Sequence, residues 1–213
     1  WGIVNIQCVL GRKISFNVVL SDKLPYLFVI FHSQVTNEVL IREVSIKTFL
    51  MAKLYILRHA ETRIDSGLGP DNWELEDGAR DSVVRLLKGI PLTEICCIYS
   101  SPLPKASRTA DIIGNIYGIA KNERECLREV KRYFPYVDNM TFSMYVEEFL
   151  SGRDDLHFEP YPEVRERIVN CIKDICKETS GKSVIVVSHG MVISVLYSHL
   201  TGRILSKDDW NNL

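Results

Sequence analysis

The sequence predicts an α/β fold, a three-layer α/β/α sandwich around a mostly parallel central sheet. Two observations carry that prediction. Short, almost wholly apolar runs stand at residues 54–57 (LYIL), 95–99 (ICCIY) and 183–187 (SVIVV), the pattern of strands buried on both faces. Between them lie stretches with apolar residues at helical spacing. Strands alternating with helices imply crossovers to parallel neighbours and a sheet covered on both sides.

Taken in order, residues 1–50 carry β-branched and aromatic residues with partial alternation at Ile14 to Leu20, Leu27 to Phe31 and Val39 to Ile46, which predicts a small strand-rich appendage. Met51 stands immediately before the first strong strand, Leu54 to Leu57. The expected organisation is therefore an extension over 1–50, either upstream of a natural start at Met51 or a divergent add-on unrelated to the chemistry, followed by one domain over 51–213. Residues 65–72 (DSGLGPDN) form a turn-rich loop. A helix is expected from Leu75 to Leu87, with Leu75, Ala79, Val83, Leu86 and Leu87 on one side and Glu74, Glu76, Asp77, Arg80, Asp81 and Arg85 on the other. Gly89 and Pro91 end it. The Ile95 to Tyr99 strand leads into SSPLPKASRTADIIG at 100–114, a serine and proline turn opening a helix. After a long middle stretch come a helix from Tyr161 to Lys177, the strand Ser183 to Val187, and a helix from Met191 to Leu200 stopped by Gly202.

The bulk properties suit an ordinary globular protein. At 213 residues, with 46% hydrophobic content, 25% charged residues and a net charge of -1, the chain lacks the basic excess that would point to nucleic acid or an anionic membrane. The apolar tract Leu27 to Phe31 is too short to span a bilayer and lacks the flanks of a signal peptide. The six cysteines form no CxxC pair and no regular framework, so reduced, mostly buried thiols in a cytoplasmic protein are expected.

The chemistry gathers at two strand ends. YILRHAE and IVVSHGM each deliver a histidine just past a buried strand, and in a parallel sheet both carboxyl ends share one edge. His59 and His189 can therefore converge across the chain. A histidine pair could hold zinc, but no HxH, HExxH or matching Cys and Asp cluster supplies further ligands. Arg58 beside His59, with the amides opening the helix after His189, suits an anion better. No GxSxG elbow is present for a serine hydrolase, and no GxxxxGK[ST] loop for a nucleotide kinase.

In this order RHAET, YSSPLPKASRTADII, LRE and VVSHGMVISVLYSHLTG resemble the motifs of the histidine phosphatase superfamily, also called phosphoglycerate mutase-like, over Met51 to Leu213. The resemblance implies a phosphoglycerate mutase-like fold and a role for each matching residue. His59 matches the histidine that is transiently phosphorylated, its other ring nitrogen held as a donor to a backbone carbonyl. Arg58 matches the neighbouring arginine that grips the phosphoryl oxygens. His189 matches the second pocket histidine, expected to be cationic. Glu129 matches the acid that protonates the leaving alcohol and then activates water, a task that wants burial or electron-rich neighbours. Glu123 and Glu125 are the nearby carboxylates that could be confused with it. Lys105 stands where the family usually has arginine, exchanging a bidentate fork for a point charge. Arg108, three residues on, is a candidate helper for phosphate. Ala60 replaces the family's commoner glycine.

The resemblance spans phosphatases and mutases. From Met51 the chain is compact, and VKRYFPYVDNM does not resemble the mutases' stretch after the acid, so a metal-independent phosphomonoester hydrolase with a phosphohistidine intermediate is expected. The alternatives are a phosphoglycerate mutase-type transferase and a non-catalytic phosphate-binding module. No cofactor and no metal are expected. The expected partner is a phosphorylated small molecule or phosphoprotein as substrate, without nucleic acid or membrane, with a homodimer as one assembly option. Residues 130–162 should form the pocket mouth, where Lys131, Arg132 and Arg153 could meet a second anionic group and Tyr133, Phe134 and Tyr136 could stack on a ring.

Overall fold

The structure, a computed structural model, describes residues 4–9, 15–20, 28–32, 52–65, 67–88, 90, 95–153, 156–179 and 182–203. The anticipated strand at Val39 to Ile46, the candidate start Met51 and the helix stops Gly89 and Pro91 lie outside the described residues.

The sheet is built around three strands that read as apolar runs in the sequence: β4 (Ala52–Arg58), β5 (Ile95–Ser100) and β7 (Ser183–Ser188). β7 lies between the other two and is parallel to both. β6 (Lys121–Glu123) extends the sheet beyond β5, also parallel. On the other side β1 (Val4–Val9) pairs parallel with β4, and β2 (Ser15–Leu20) and β3 (Phe28–His32) follow antiparallel. The full order is β3-β2-β1-β4-β7-β5-β6. The N-terminal strands thus continue the main sheet, and β1 occupies a segment where the sequence pattern gave no strand signal.

Strand alternation sends side chains to two apolar layers. Leu54, Ile56, Val184 and Val186 pack with α3 (Asn139–Leu150), α4 (Tyr161–Glu178) and α5 (Gly190–Thr201). Tyr55, Leu57, Ile185 and Val187 pack with α1 (Ala79–Leu87) and α2 (Pro104–Tyr117). All six residues of β7 are buried, as expected for an interior strand of a three-layer fold. No helix among the described residues is long and apolar enough to cross a membrane.

Local chemistry sets the helix ends. Pro104 opens α2, where a missing N–H costs nothing, and Gly118 closes it at φ 69°. Gly114 lies so close to the Ile119 carbonyl that an added Cβ would sit 2.6 Å from its oxygen. Asp138 caps α3 by accepting from the Met140 and Thr141 N–H groups.

Two expectations are corrected. The helix anticipated from Leu75 begins only at Ala79, because the preceding residues pair with the segment after the first strand: Leu75 bridges Thr62, and the Glu76 N–H donates to the Glu61 carbonyl. Nor are the thiols all reduced. Cys126 and Cys171 form a disulfide, their Cα atoms 5.8 Å apart, while Cys96, Cys97 and Cys176 are free. Both bridged residues fall in segments that pack face to face, within disulfide reach despite their separation in sequence. The reduced state that argued for a cytoplasmic location does not hold for this pair.

Candidate active site

The register of the parallel strands brings the candidate residues to one edge. Arg58 pairs with Ser188 across β4 and β7. One step further, the His59 N–H donates to the Ser188 carbonyl at 3.0 Å, and the Ser101 N–H donates to the Val187 carbonyl at 3.0 Å. The chain therefore leaves β4, β5 and β7 at the same level, delivering His59, Ser101 and His189 side by side.

His59 is held by its own turn. Its Nδ1 lies 2.7 Å from the Ala60 carbonyl oxygen. Because a carbonyl only accepts, Nδ1 carries the proton and Nε2 keeps its lone pair. The turn is fixed from α2, where Thr109 Oγ1 accepts from the Ala60 N–H at 3.0 Å and donates to the Lys105 carbonyl at 2.7 Å. Desolvation, followed by the positive charges of Lys105 and then of any protonated His189, holds the His59 imidazole well below its ordinary pKa. It is neutral near pH 7.

His189, fully buried at the entrance to α5, places its ring centroid 5.3 Å from that of His59. Its Nε2 is 2.7 Å from Ser101 Oγ, and its Nδ1 has no hydrogen-bond partner among the described residues. Burial first, then Lys105 and Arg58, press its pKa well below the usual value. The expected cation is thus a neutral ring in the free protein, because burial disfavours the charged form and Lys105, Arg58, Arg128 and Arg132 oppose a further positive charge.

Glu129 is buried against the start of α5. Its Oε1 accepts from Val130 N at 3.0 Å and Val192 N at 3.1 Å, and its Oε2 from Met191 N at 3.3 Å. Of the two settings anticipated for this carboxyl, burial or electron-rich neighbours, the structure shows burial; its neighbours are N–H donors and cations. Glu123 bonds Ser107 and Lys121, and Glu125 pairs with Arg128 at the surface, which removes both from the pocket.

Lys105 is 4% exposed on α2, its Nζ donating to the Pro70 carbonyl at 3.2 Å and lying 5.9 Å from the Trp73 ring centroid. Desolvation lowers its pKa, opposed by the Glu129 charge. Arg108 turns outward instead, pairs with Glu74, and lines neither cavity described below.

Two hollows meet at Arg58 and His59. The smaller, about 140 Å³, is also lined by Lys105, Glu129 and Arg132, with walls from Trp73, Phe134, Tyr136 and Phe142. The larger, about 540 Å³, runs over Glu61 and Glu76 towards α1 and offers no cation besides Arg58. Only the smaller is suited to a phosphate group. Arg132 lies over the Phe142 ring at 4.4 Å, and Trp73 and Tyr136 stand edge to face at 6.4 Å. Lys131 and Arg153 do not line this cavity, and Phe134 packs into an aromatic cluster with Tyr145 and Phe158. Among the described residues no group of three or more His, Cys, Asp or Glu side chains is arranged to hold a metal ion.

Sequence reasoning passed over Ser101 and Thr109. Ser101 read as a turn former, yet it is fully buried and touches His189. Thr109 lay four residues after Lys105 on the same helix, a spacing that could have flagged it.

A mostly parallel sheet between two helical layers, with a neutral histidine and several cations at its carboxyl edge, defines an α/β protein with a cation-lined pocket. The chain belongs to the histidine phosphatase superfamily (branch 1), whose family model matches residues 54–212. No curated protein matches the sequence. Among solved structures, phosphoserine phosphatase from Entamoeba histolytica, in complex with 3-phosphoglyceric acid, is 23% identical, covering 76% of this chain and 85% of that one at a TM-score of 0.58. A mycobacterial glucosyl-3-phosphoglycerate phosphatase is 20% identical over 73% of this chain and 81% of its own, at 0.56. A phosphoglycerate mutase from Bacillus anthracis is 20% identical over 70% and 79%, at 0.56. At these identities the likeness is one of fold.

Proposed function

We propose that this protein hydrolyses phosphate monoesters of small metabolites through a phosphohistidine at His59. The observation that carries the reading is the pinned, neutral His59 ring, whose Nδ1 is committed to the Ala60 carbonyl while the ring opens into a cavity lined by Arg58 and Lys105. A nucleophilic nitrogen needs this state, unprotonated and oriented, beside groups that neutralise the phosphoryl oxygens.

In the first half-reaction the Nε2 lone pair of His59 forms a bond to phosphorus in line with the ester oxygen. The P–O bond to the leaving group breaks, and Glu129, which takes up a proton as the dianion binds and offsets the nearby cations, gives that proton to the departing alkoxide. Arg58 and Lys105 hold non-bridging oxygens. His189 lines neither cavity; its ring stands 5.3 Å from that of His59, and a proton it takes from solvent as the dianion binds adds positive charge beside the phosphoryl group. In the second half-reaction water attacks phosphorus, Glu129 takes its proton, the N–P bond breaks, and inorganic phosphate leaves with His59 neutral again.

Two features support a small substrate. The cavity is about 140 Å³ and is roofed by residues of the 134–142 segment. Two fold neighbours are named as a phosphoserine phosphatase and a glucosyl-3-phosphoglycerate phosphatase. Arg132, half-buried on the cavity wall, is suited to a second anionic group on the substrate. A screen of phosphomonoesters with chelator present tests the reading: hydrolysis that survives chelation and is lost in His59→Ala is expected. Phosphoryl transfer to a second substrate molecule with no release of inorganic phosphate would replace it with a mutase.

A further inference from the structure

The segment that carries Glu129 is bound by a side chain that lines neither cavity. Arg167, on α4, spreads its guanidinium among three partners. Nε and Nη2 form a fork on Glu159, each bond 3.1 Å, and Nη1 donates to the main-chain carbonyls of Cys126 at 3.0 Å and Arg128 at 2.9 Å. The pair is largely shielded, with the Arg167 side chain 23% and the Glu159 side chain 11% exposed. Glu159 passes the constraint on, since its Oε2 accepts from the Lys131 N–H at 3.1 Å and its own N–H donates to the Lys131 carbonyl at 3.0 Å.

The segment carrying Glu129 is thus gripped on both sides. Before it, the Cys126 and Arg128 carbonyls are taken by Arg167 and the Leu127 carbonyl by Ser188 Oγ at 2.8 Å. After it, Lys131 is tied to Glu159. The Cys126–Cys171 bridge anchors the same segment to α4, with Cys171 one turn beyond Arg167. The Glu129 carboxyl lies across this clamp, facing the N–H groups of Met191 and Val192. A slip of the segment by about 1 Å would break those contacts and carry the carboxyl off the line to the leaving oxygen, a displacement that can cost about 10²-fold in rate.

We propose that Arg167, with Glu159 as its counter-ion, is a positioning residue that sets the Glu129 carboxyl for proton transfer to the leaving group. This rests on the acid role proposed above for Glu129. Arginine suits the task because a planar fork can bind a carboxylate and two carbonyls at once, which a lysine point charge cannot.

A residue that acts through the acid leaves a signature that general loosening does not. Proton donation matters for an alkoxide leaving group and little for p-nitrophenolate, which departs without it. The experiment compares kcat and KM for β-glycerophosphate and p-nitrophenyl phosphate in the parent, Glu129→Gln, Arg167→Lys, Arg167→Met and the double variant Glu129→Gln with Arg167→Met, each checked for folding by circular dichroism. Glu129→Gln should lose about 10²-fold or more in kcat on β-glycerophosphate and under about tenfold on p-nitrophenyl phosphate. Both Arg167 variants should show the same asymmetry at smaller size, with KM little changed, and Arg167→Met should add nothing on β-glycerophosphate once Glu129 is Gln. If Arg167→Met does not fold, Arg167→Lys, which keeps the charge and loses the fork, carries the comparison. Equal losses on both substrates, additive losses in the double variant, or no loss, while Glu129→Gln keeps its asymmetry, would overturn the positioning role alone. A Glu129→Gln enzyme without asymmetry would overturn the acid role and the positioning role with it.

Discussion

Lowering the pH from 6.5 to 5.5 should destabilise this protein through two residues at its pocket. His59 and His189 are both pressed well below the ordinary histidine pKa, first by desolvation and then by the charge of Lys105. A histidine depressed in this way takes nothing from stability above the unfolded value near 6.5, and stability falls as the pH drops through the window between that value and the folded one. The unfolded chain binds the protons that the folded chain refuses. At pH 5.5 protonation favours each unfolded imidazole by about 1.4 kcal/mol, against about 0.4 kcal/mol at pH 6.5. The difference is about 1 kcal/mol for each residue and about 2 kcal/mol for the pair, provided both folded rings stay neutral across the interval. Urea unfolding at the two pH values and constant ionic strength measures it, with His59→Gln plus His189→Gln as the reference. The reference should lose about 2 kcal/mol less than the parent between pH 6.5 and 5.5. Equal losses in the two proteins would refute the account of two neutral rings.

Other consequences concern single contacts. Lys105→Ala should reduce kcat/KM for p-nitrophenyl phosphate by about 10²-fold or more, as expected for a buried cation on the phosphoryl oxygens, whereas Arg108→Ala, which removes a half-exposed pair with Glu74, should leave it within about twofold; the reverse ranking would show that the wrong residue on α2 has been assigned to phosphate. Arg132→Ala should raise KM for phosphoserine about tenfold while sparing kcat and leaving p-nitrophenyl phosphate unaffected, and an equal effect on both would argue against a second anion site. Replacing Cys126 and Cys171 by serine should cost up to about 4 kcal/mol from the loop they close over a sequence separation of 45. An unchanged urea midpoint would show that the bridge contributes nothing.

Much of the fold is legible because the central strands are buried on both faces and so leave continuous apolar runs. Ser183 to Val187 could not be mistaken for loop, and α4 and α5 kept their expected spans to within a residue or so. α3 is harder to read. Its low amphipathicity comes from an apolar sequence, NMTFSMYVEEFL, with Met140 and Met144 exposed at 72% and 51%, so no polar face marks the helical period. The start of α1 was obscured by Leu75, whose spacing fits the helix but whose backbone pairs with Thr62. At the site, motif residues announce themselves by type, since Arg58, His59 and His189 are ionisable groups directly after apolar runs. Ser101, Thr109 and Arg167 do not. They act through backbone contacts or another side chain, and such contacts depend on which elements pack together, a property that no local pattern encodes. The same holds for Cys126 and Cys171, whose pairing requires the segment before Glu129 to lie on α4.

The central claim is that His59 carries the phosphoryl group. It is tested most directly by mixing the protein with ³²P-labelled phosphoserine or another hydrolysed phosphomonoester, quenching in alkali within one turnover, and mapping the labelled peptide. The account predicts a label on the peptide containing His59 that survives alkali, is released by mild acid, and is missing in His59→Ala. Turnover by the parent with no labelled protein at any quench time, or an acid-stable label on another residue, would contradict it.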